Sequence, residues 1–269
     1  MAAVGLPQPQ SDPGSARRRQ RAPEAMMEPL AQSEARPARA DLPTQQIFQR
    51  DWQIYRKMID NNYLFHREAY ACLHHILVSE IVRPFSFLDI ACGDASASLP
   101  ALQGTAVSHY EGIDLSRAAL DMADQRLPAL GCPYTLHDGD FAELLPARRD
   151  SVDVVWIGLS LHHFQTEEKL RLMRAIRVFL GEGGRFLVYE NSRPDGESRE
   201  GWMRRLEAQR PHWSAYDDAE WEVVWGHISQ ADYPETPSTW ARLGREAGFD
   251  RTRELFVAPS DLIRLYSFQ

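Results

Sequence analysis

Small residues and carboxylates recur in this chain at the places where a strand would hand over to a helix. The first such turn is Ala91-Cys92-Gly93-Asp94-Ala95, directly after the apolar run Phe85 to Ile90. Small residues at alternate positions let a backbone turn sharply and approach a ligand, and the next helix offers free N–H groups. A dinucleotide site wants Gly-x-Gly-x-x-Gly here, open to a pyrophosphate. Only Gly93 is present and Asp94 enters the loop, so a pyrophosphate is disfavoured. A ligand with a cationic end suits Asp89 and Asp94 better.

The second turn is Gly112-Ile113-Asp114-Leu115-Ser116. Asp114 follows Asp89 by 25 positions, the spacing at which an acidic residue on the neighbouring strand tip accepts hydrogen bonds from a ribose diol. Aspartate is equally welcome where a helix starts, although Ser116 is the better cap. The third turn is His137-Asp138-Gly139-Asp140-Phe141, where Asp140 can take an adenine amino group and Phe141 can pack on the ring. S-adenosylmethionine carries an ammonium and a sulfonium as well as ribose and adenine, and it fits all three turns.

Further chemistry belongs at the next two strand tips. The run Leu159-Ser160-Leu161-His162-His163-Phe164 offers two histidines, either of which can act as a general base near neutral pH. The alternative is that one of them simply packs or caps the next helix. Glu190, ending a later strand, can bind a substrate ammonium or act as a base, or can hydrogen-bond loop backbone. His162 and His163 with Glu190, His212 or His227 would be a conceivable metal set. They lack the i, i+4 helical pairing and the His-Glu-x-x-His signature, so no metal site is expected.

The elements that hold these tips follow from periodicity. Apolar spacing predicts helices over Gln45 to Ile59 and His66 to Val82, then over Ser96 to Leu102, Ser116 to Leu130, Glu167 to Leu180 and Pro237 to Ala247. Short β-branched or aromatic runs predict strands at Phe85 to Ala91, Tyr110 to Asp114, Tyr134 to His137, Val152 to Gly158 and Arg185 to Glu190. Two more, Leu255 to Ala258 and Leu262 to Phe268, lie close enough for an antiparallel hairpin at one edge. Strands alternating with helices indicate an α/β sheet with right-handed crossovers.

With these motifs in place, the chain resembles the class I S-adenosylmethionine-dependent methyltransferases. LDIACGDA, YEGIDLS, HDGDF and VDVVWIGLSLHHF match that family's first four motifs, and FLGEGGRFLVYE matches the segment through its fifth strand. Ala95 stands where the family usually has the second glycine of the first motif. The resemblance implies a Rossmann-like seven-stranded sheet of order 3-2-1-4-5-7-6 with the last strand antiparallel. It implies a cofactor site at Asp89, Ala91, Gly93, Asp114, Leu115, Asp140, Phe141 and Leu159, and candidate catalytic residues His162, His163 and Glu190.

Residues 1–43 hold seven of the 17 prolines and no aromatic residue, so this stretch is expected to be a disordered tail. Residues 44–84 are expected to form cap helices, and 85–269 the cofactor-binding domain. Five of the seven tryptophans fall between Gly201 and Trp240, an interval longer than a crossover needs, which predicts an inserted helical lid over about 194–235. Trp221 and Trp225, four apart, read as one buried stripe of it. The lid arginines Arg204, Arg205 and Arg210 read as a solvated face before a carboxylate-binding one.

A net charge of −8 with no basic run in the body argues against duplex nucleic acid as partner. Three distant cysteines form neither a zinc spacing nor a disulfide framework, no apolar run approaches a membrane span, and the first residues make no secretory signal. The expectation is a cytoplasmic S-adenosylmethionine-dependent methyltransferase acting on a small molecule, with no membrane or nucleic-acid partner. Its rivals are carboxymethyl or aminopropyl transfer on the same fold, and a non-catalytic cofactor-binding module.

Overall fold

Each amphipathic helix in such a sequence must bury its apolar stripe, and the face of a parallel sheet is where an alternating chain can do so. The computed structural model of the protein describes residues 54–269 and has this arrangement. The expected tail and the beginning of the expected helix from Gln45 lie outside the described residues. The end of that helix is helical over 54–60.

Helix α1 (His66–Ser79) precedes β1 (Phe85–Ile90), then α2 (Ser98–Leu102), β2 (Val107–Asp114), α3 (Arg117–Arg126) and β3 (Tyr134–Asp138). There follow α4 (Phe141–Ala147), β4 (Val152–Gly158), α5 (Thr166–Phe179) and β5 (Leu180–Asn191). Helices α6 (Arg199–Glu207), α7 (Asp218–Ala231) and α8 (Pro237–Ala247) lead to the hairpin β6 (Thr252–Val257) and β7 (Ile263–Phe268). The seven strands order as β3-β2-β1-β4-β5-β7-β6. Strands β1 to β5 pair in parallel, and β7 runs antiparallel to β5 and β6. Order and direction are those that the sequence motifs implied.

Successive residues of a strand point to opposite faces, and the two cores divide accordingly. Phe87, Tyr110, Val154, Trp156, Leu187 and Tyr189 face α1, α2 and the lid. Leu88, Ile90, Val155, Ile157, Phe186 and Val188 face α5 and α8. Helix α4 is too short to show a period. Asp140 starts it by accepting the Ala142 N–H at 2.8 Å.

The interval between β5 and α8 is helical, as expected of a lid. Trp221, Val224 and Ile228 form the buried stripe of α7, and Trp213 meets Trp221 edge-on. The segment 54–60 and the lid hold each other. Lys57 pairs with Glu220 at 2.6 Å, Tyr216 Oη donates to the Ile54 carbonyl at 2.8 Å, and Tyr63 stacks on Trp213 at 5.1 Å. Arg205 and Arg210 are held by Glu197 and Asp218 within the lid. Among the described residues no helix is long and apolar enough to cross a membrane.

Candidate active site

The turn after β1 is built from left-handed residues in alternation: Ala91, Gly93 and Ala95 have φ of 56°, 55° and 56°. Left-handed backbone costs an L-residue with a Cβ roughly 1–2 kcal/mol, so the two alanines store strain that the surroundings must hold. Asp114 does part of this. Its Oδ2 accepts the Gly93 N–H at 2.8 Å and its Oδ1 accepts the Ser116 N–H at 2.8 Å. Burial raises the Asp114 pKa, against those backbone donors. A Cβ placed on Gly93 would meet nothing within 4 Å, so this face of the turn is open. Ser116 caps α3 through the Ala119 N–H, as expected, and leaves Asp114 free for the turn.

Asp89 is buried at the end of β1 and accepts a hydrogen bond from Tyr110 Oη at 2.8 Å. Burial lifts its pKa to about 7. Asp94 corrects the sequence reading. Its Oδ2 pairs with Arg126 at 2.5 Å and its Oδ1 accepts from the Ser96 N–H and hydroxyl at 3.1 and 2.6 Å. That carboxylate is neutralised inside the protein and is not offered to a cationic ligand.

Three further predicted residues lie in the turns after β2 and β3. Leu115 is 64% exposed, a large apolar side chain left uncovered beside Asp114. Asp140 spends Oδ1 on its helix. Phe141 is buried against Phe164, with ring centres 5.5 Å apart in the lower core. At the tip of β4, Leu159 is also left-handed, with φ 52°, and its N–H donates to the Tyr189 carbonyl at 2.7 Å.

Beyond that tip the two histidines separate in role. Glu190, with 0% exposure, accepts the N–H groups of Ser160 and Leu161 at 2.6 Å each and lies 2.6 Å from His162 Nδ1. It is committed to the 3-10 turn Leu161–His163, the loop-backbone alternative of the sequence reading. His162 is buried. Burial opposes its charge, but Asp232 and Glu190 prevail and raise its pKa. The His163 side chain is 31% exposed and is the more exposed member of the pair.

Asp232, at the end of α7, was not singled out from the sequence. Its Oδ2 accepts from Asn191 Nδ2 at 2.8 Å. Its Oδ1 lies 3.6 Å from His162 Nε2 and 3.4 Å from His163 Nδ1, with no hydrogen bond of ordinary geometry. Burial pushes its pKa up, yet the net direction is down because of His162 and His163.

An aromatic wall closes the upper side. Tyr70 lies 5.1 Å from Trp156 and 6.3 Å from Tyr189, ring to ring. A Cβ on Gly158 would meet Trp156, Tyr189 and the Tyr70 hydroxyl at 3.4–3.5 Å, ordinary van der Waals contact. Tyr55, partly exposed, stands edge-on to His66 with ring centres 6.3 Å apart. His66 is buried edge-on to Tyr189, neither ring nitrogen has a partner, and burial lowers its pKa to about 4. His66 and Tyr70 also line a cleft of about 530 Å³ that reaches Ser96 and Ala97 after the β1 turn. Tyr55 and Tyr70 belong to the segment 44–84 that the sequence predicted as cap helices. His66 carried no sequence signal, being one histidine at a helix start.

Residues 87–184 match a family described as a methyltransferase domain. No curated protein sequence matches the chain. Among solved structures, the magnesium protoporphyrin IX methyltransferase of Synechocystis PCC 6803 with bound SAH is similar at a TM-score of 0.56 and 16% identity, covering 83% of this chain and 94% of that one. The S-adenosylmethionine-dependent methyltransferase SibL in its apo form is similar at 0.54 and 17%, covering 76% of this chain and 55% of that one. The mitomycin 7-O-methyltransferase MmcR is similar at 0.52 and 18%, covering 81% and 60%. The chain thus spans little more than half the length of SibL, and the likeness at these identities is one of fold.

Proposed function

We propose that this chain, which has the class I methyltransferase fold and matches a methyltransferase domain over residues 87–184, transfers a methyl group from S-adenosylmethionine to a small molecule. The observation that carries this reading is the strained turn Ala91–Ala95 braced by Asp114 at the carboxyl ends of β1 and β2. That place lies beside the switch point of the sheet between β1 and β4, where open α/β folds bind ligands. Gly93 keeps the approach clear. Asp114 and Asp140 each make short bonds to backbone and retain lone pairs for a ribose diol and an adenine amino group. Leu115 and Leu159 supply apolar cover, with Ala91 in the turn, Asp89 beneath it and Phe141 behind.

The cofactor supplies an electrophilic methyl on a sulfonium. The chain's own contribution is to hold an acceptor in line and to exclude water, through Tyr55, Tyr70 and the lid. Where the acceptor must lose a proton, His163 is the candidate base. Glu190 and His162 act through the turn they hold and serve as positioning residues. An acidic body and apolar-walled cleft favour a small acceptor over nucleic acid, and we place the protein in the cytoplasm on its three free cysteines.

Calorimetric titration with S-adenosylmethionine and S-adenosylhomocysteine tests the cofactor, and a screen of small acceptors for a gain of one CH2 tests the transfer. Micromolar binding with methylated product supports the reading. A folded protein that binds neither ligand overturns it, and a product carrying a carboxymethyl or aminopropyl group moves it to another transferase.

A further inference from the structure

We infer that His162 Nε2, His163 Nδ1 and Asp232 Oδ1 form a binding site for a late first-row divalent cation, for which zinc is the representative ion. One ligand atom from each of the three residues lies within 4.8 Å of the other two. Two ligands each about 2.0–2.1 Å from a tetrahedral ion stand about 3.3–3.4 Å apart, and the two distances to Asp232 Oδ1 are 3.4 and 3.6 Å. Those separations are long for hydrogen bonds and right for the edges of a coordination polyhedron.

The buried oxygen is the second observation. Asp232 is 2% exposed and its Oδ1 makes no hydrogen bond, facing only the two imidazoles at 3.4 and 3.6 Å, a buried carboxylate oxygen that a directly bound cation would compensate more fully. His163 Nδ1 also makes a long hydrogen bond of 3.4 Å to the Ala231 carbonyl, which the ring would give up on taking an ion. A cation between the three atoms satisfies all of them.

The surroundings match what metal ligands require. A ligating histidine presents one nitrogen and is held by a carboxylate on the other. His162 does so: Nδ1 faces Glu190 at 2.6 Å, leaving Nε2 aimed at Asp232. Asp232 is held in turn by Asn191 on Oδ2. Two imidazoles and one carboxylate suit zinc and its neighbours better than magnesium or calcium, which prefer all-oxygen sets. Three protein ligands leave one position open for an acceptor heteroatom, and with the ion bound His163 would serve as a ligand in place of a base. The ion enters as it is, releasing any proton held on His162 or His163, with no change of oxidation state.

The test uses the full chain without an affinity tag, stripped with a chelator. Zinc uptake is measured by equilibrium dialysis, cobalt uptake by its visible ligand-field absorption, and S-adenosylhomocysteine binding on the same samples. One ion per chain is expected. Affinity should fall tenfold or more in Asp232→Asn and in His163→Ala, the latter partly exposed and tolerant of truncation, and should not change in His75→Ala on the surface of α1. Glu190→Gln should weaken uptake by about 10–100-fold without abolishing it. No stoichiometric uptake, or uptake equal in both ligand variants and the native chain, overturns the site. S-adenosylhomocysteine binding without zinc refutes only the metal site, and zinc uptake without nucleoside binding refutes only the proposed function.

Discussion

Nδ1 of His162 lies 2.6 Å from Oε2 of Glu190, with both side chains buried. The other carboxylate oxygen takes the N–H groups of Ser160 and Leu161. One side chain from β5 therefore sets both the backbone of the turn after β4 and the orientation of the first histidine on it. Removing one partner of a buried charged pair costs about 3–5 kcal/mol, because the other is left uncompensated. Glu190→Ala is expected to lose stability of that order in urea unfolding, and Glu190→Gln, which keeps an acceptor for the backbone, distinctly less. An alanine variant within about 1 kcal/mol of the native chain would show that the turn holds itself.

Asp114 should matter to both the turn and the cofactor. Asp114→Ala removes the acceptor for Gly93 and Ser116 and the proposed ribose partner together. Hydrogen bonds to a charged group contribute about 1.5–3 kcal/mol each, so S-adenosylhomocysteine affinity should fall at least tenfold by calorimetry. Asp114→Asn, which keeps one acceptor, should fall between. Unchanged affinity in the alanine variant would remove Asp114 from the cofactor site.

Asp94 and Arg126 are expected to couple to each other instead of to a ligand. Arg126 is partly solvated, which reduces the strength of the pair relative to a fully buried one. A double-mutant cycle with Asp94→Asn and Arg126→Ala should give a coupling of about 1–2 kcal/mol. A coupling near zero would mean that Ser96 alone satisfies Asp94.

Two buried groups give opposite pH dependence. Folded Asp89 keeps its proton up to about pH 7, whereas an unfolded aspartate loses it near about 4. Across that window the folded state binds the extra proton, so this contribution to stability falls as pH rises. His66 does the reverse. Held at about 4 in the fold against about 6.5 unfolded, it contributes fully above about 6.5 and loses that contribution as pH falls toward 4. Each effect is on the order of 3 kcal/mol. Asp89→Asn should therefore leave a chain that weakens on acidification, and His66→Phe one that weakens as pH rises, relative to the native chain. Unfolding curves between pH 4 and 8 check this, and profiles parallel to the native one in both variants would refute it.

The parts of this protein that depend on neighbours in the chain were legible in its sequence. Runs such as VDVVWIG are strands because β-branched and aromatic residues buried on both faces suit a parallel sheet. The turn after β1 was legible because alternate small residues are what a left-handed alternation tolerates. The Ser116 cap and the burial of Trp221 on α7 followed from capping and helical period for the same local reason, while Trp225, expected in the same buried stripe, is only half-buried beside Val224 and Ile228.

What depends on residues far apart in the chain was not. Asp94 looked available until Arg126, 32 positions on, closed over it. Glu190 stood between base and brace until the sheet brought it under Ser160 and Leu161. Asp232 and His66 gave no signal, because an aspartate after a helix and a histidine before one are ordinary. Local rules thus determined the elements, and the family resemblance implied their order in the sheet. The partner of each buried charge was decided only when β4, β5 and α7 met, since burial turns a solvated side chain into one that must find a counter-charge, a hydrogen bond or a metal ion.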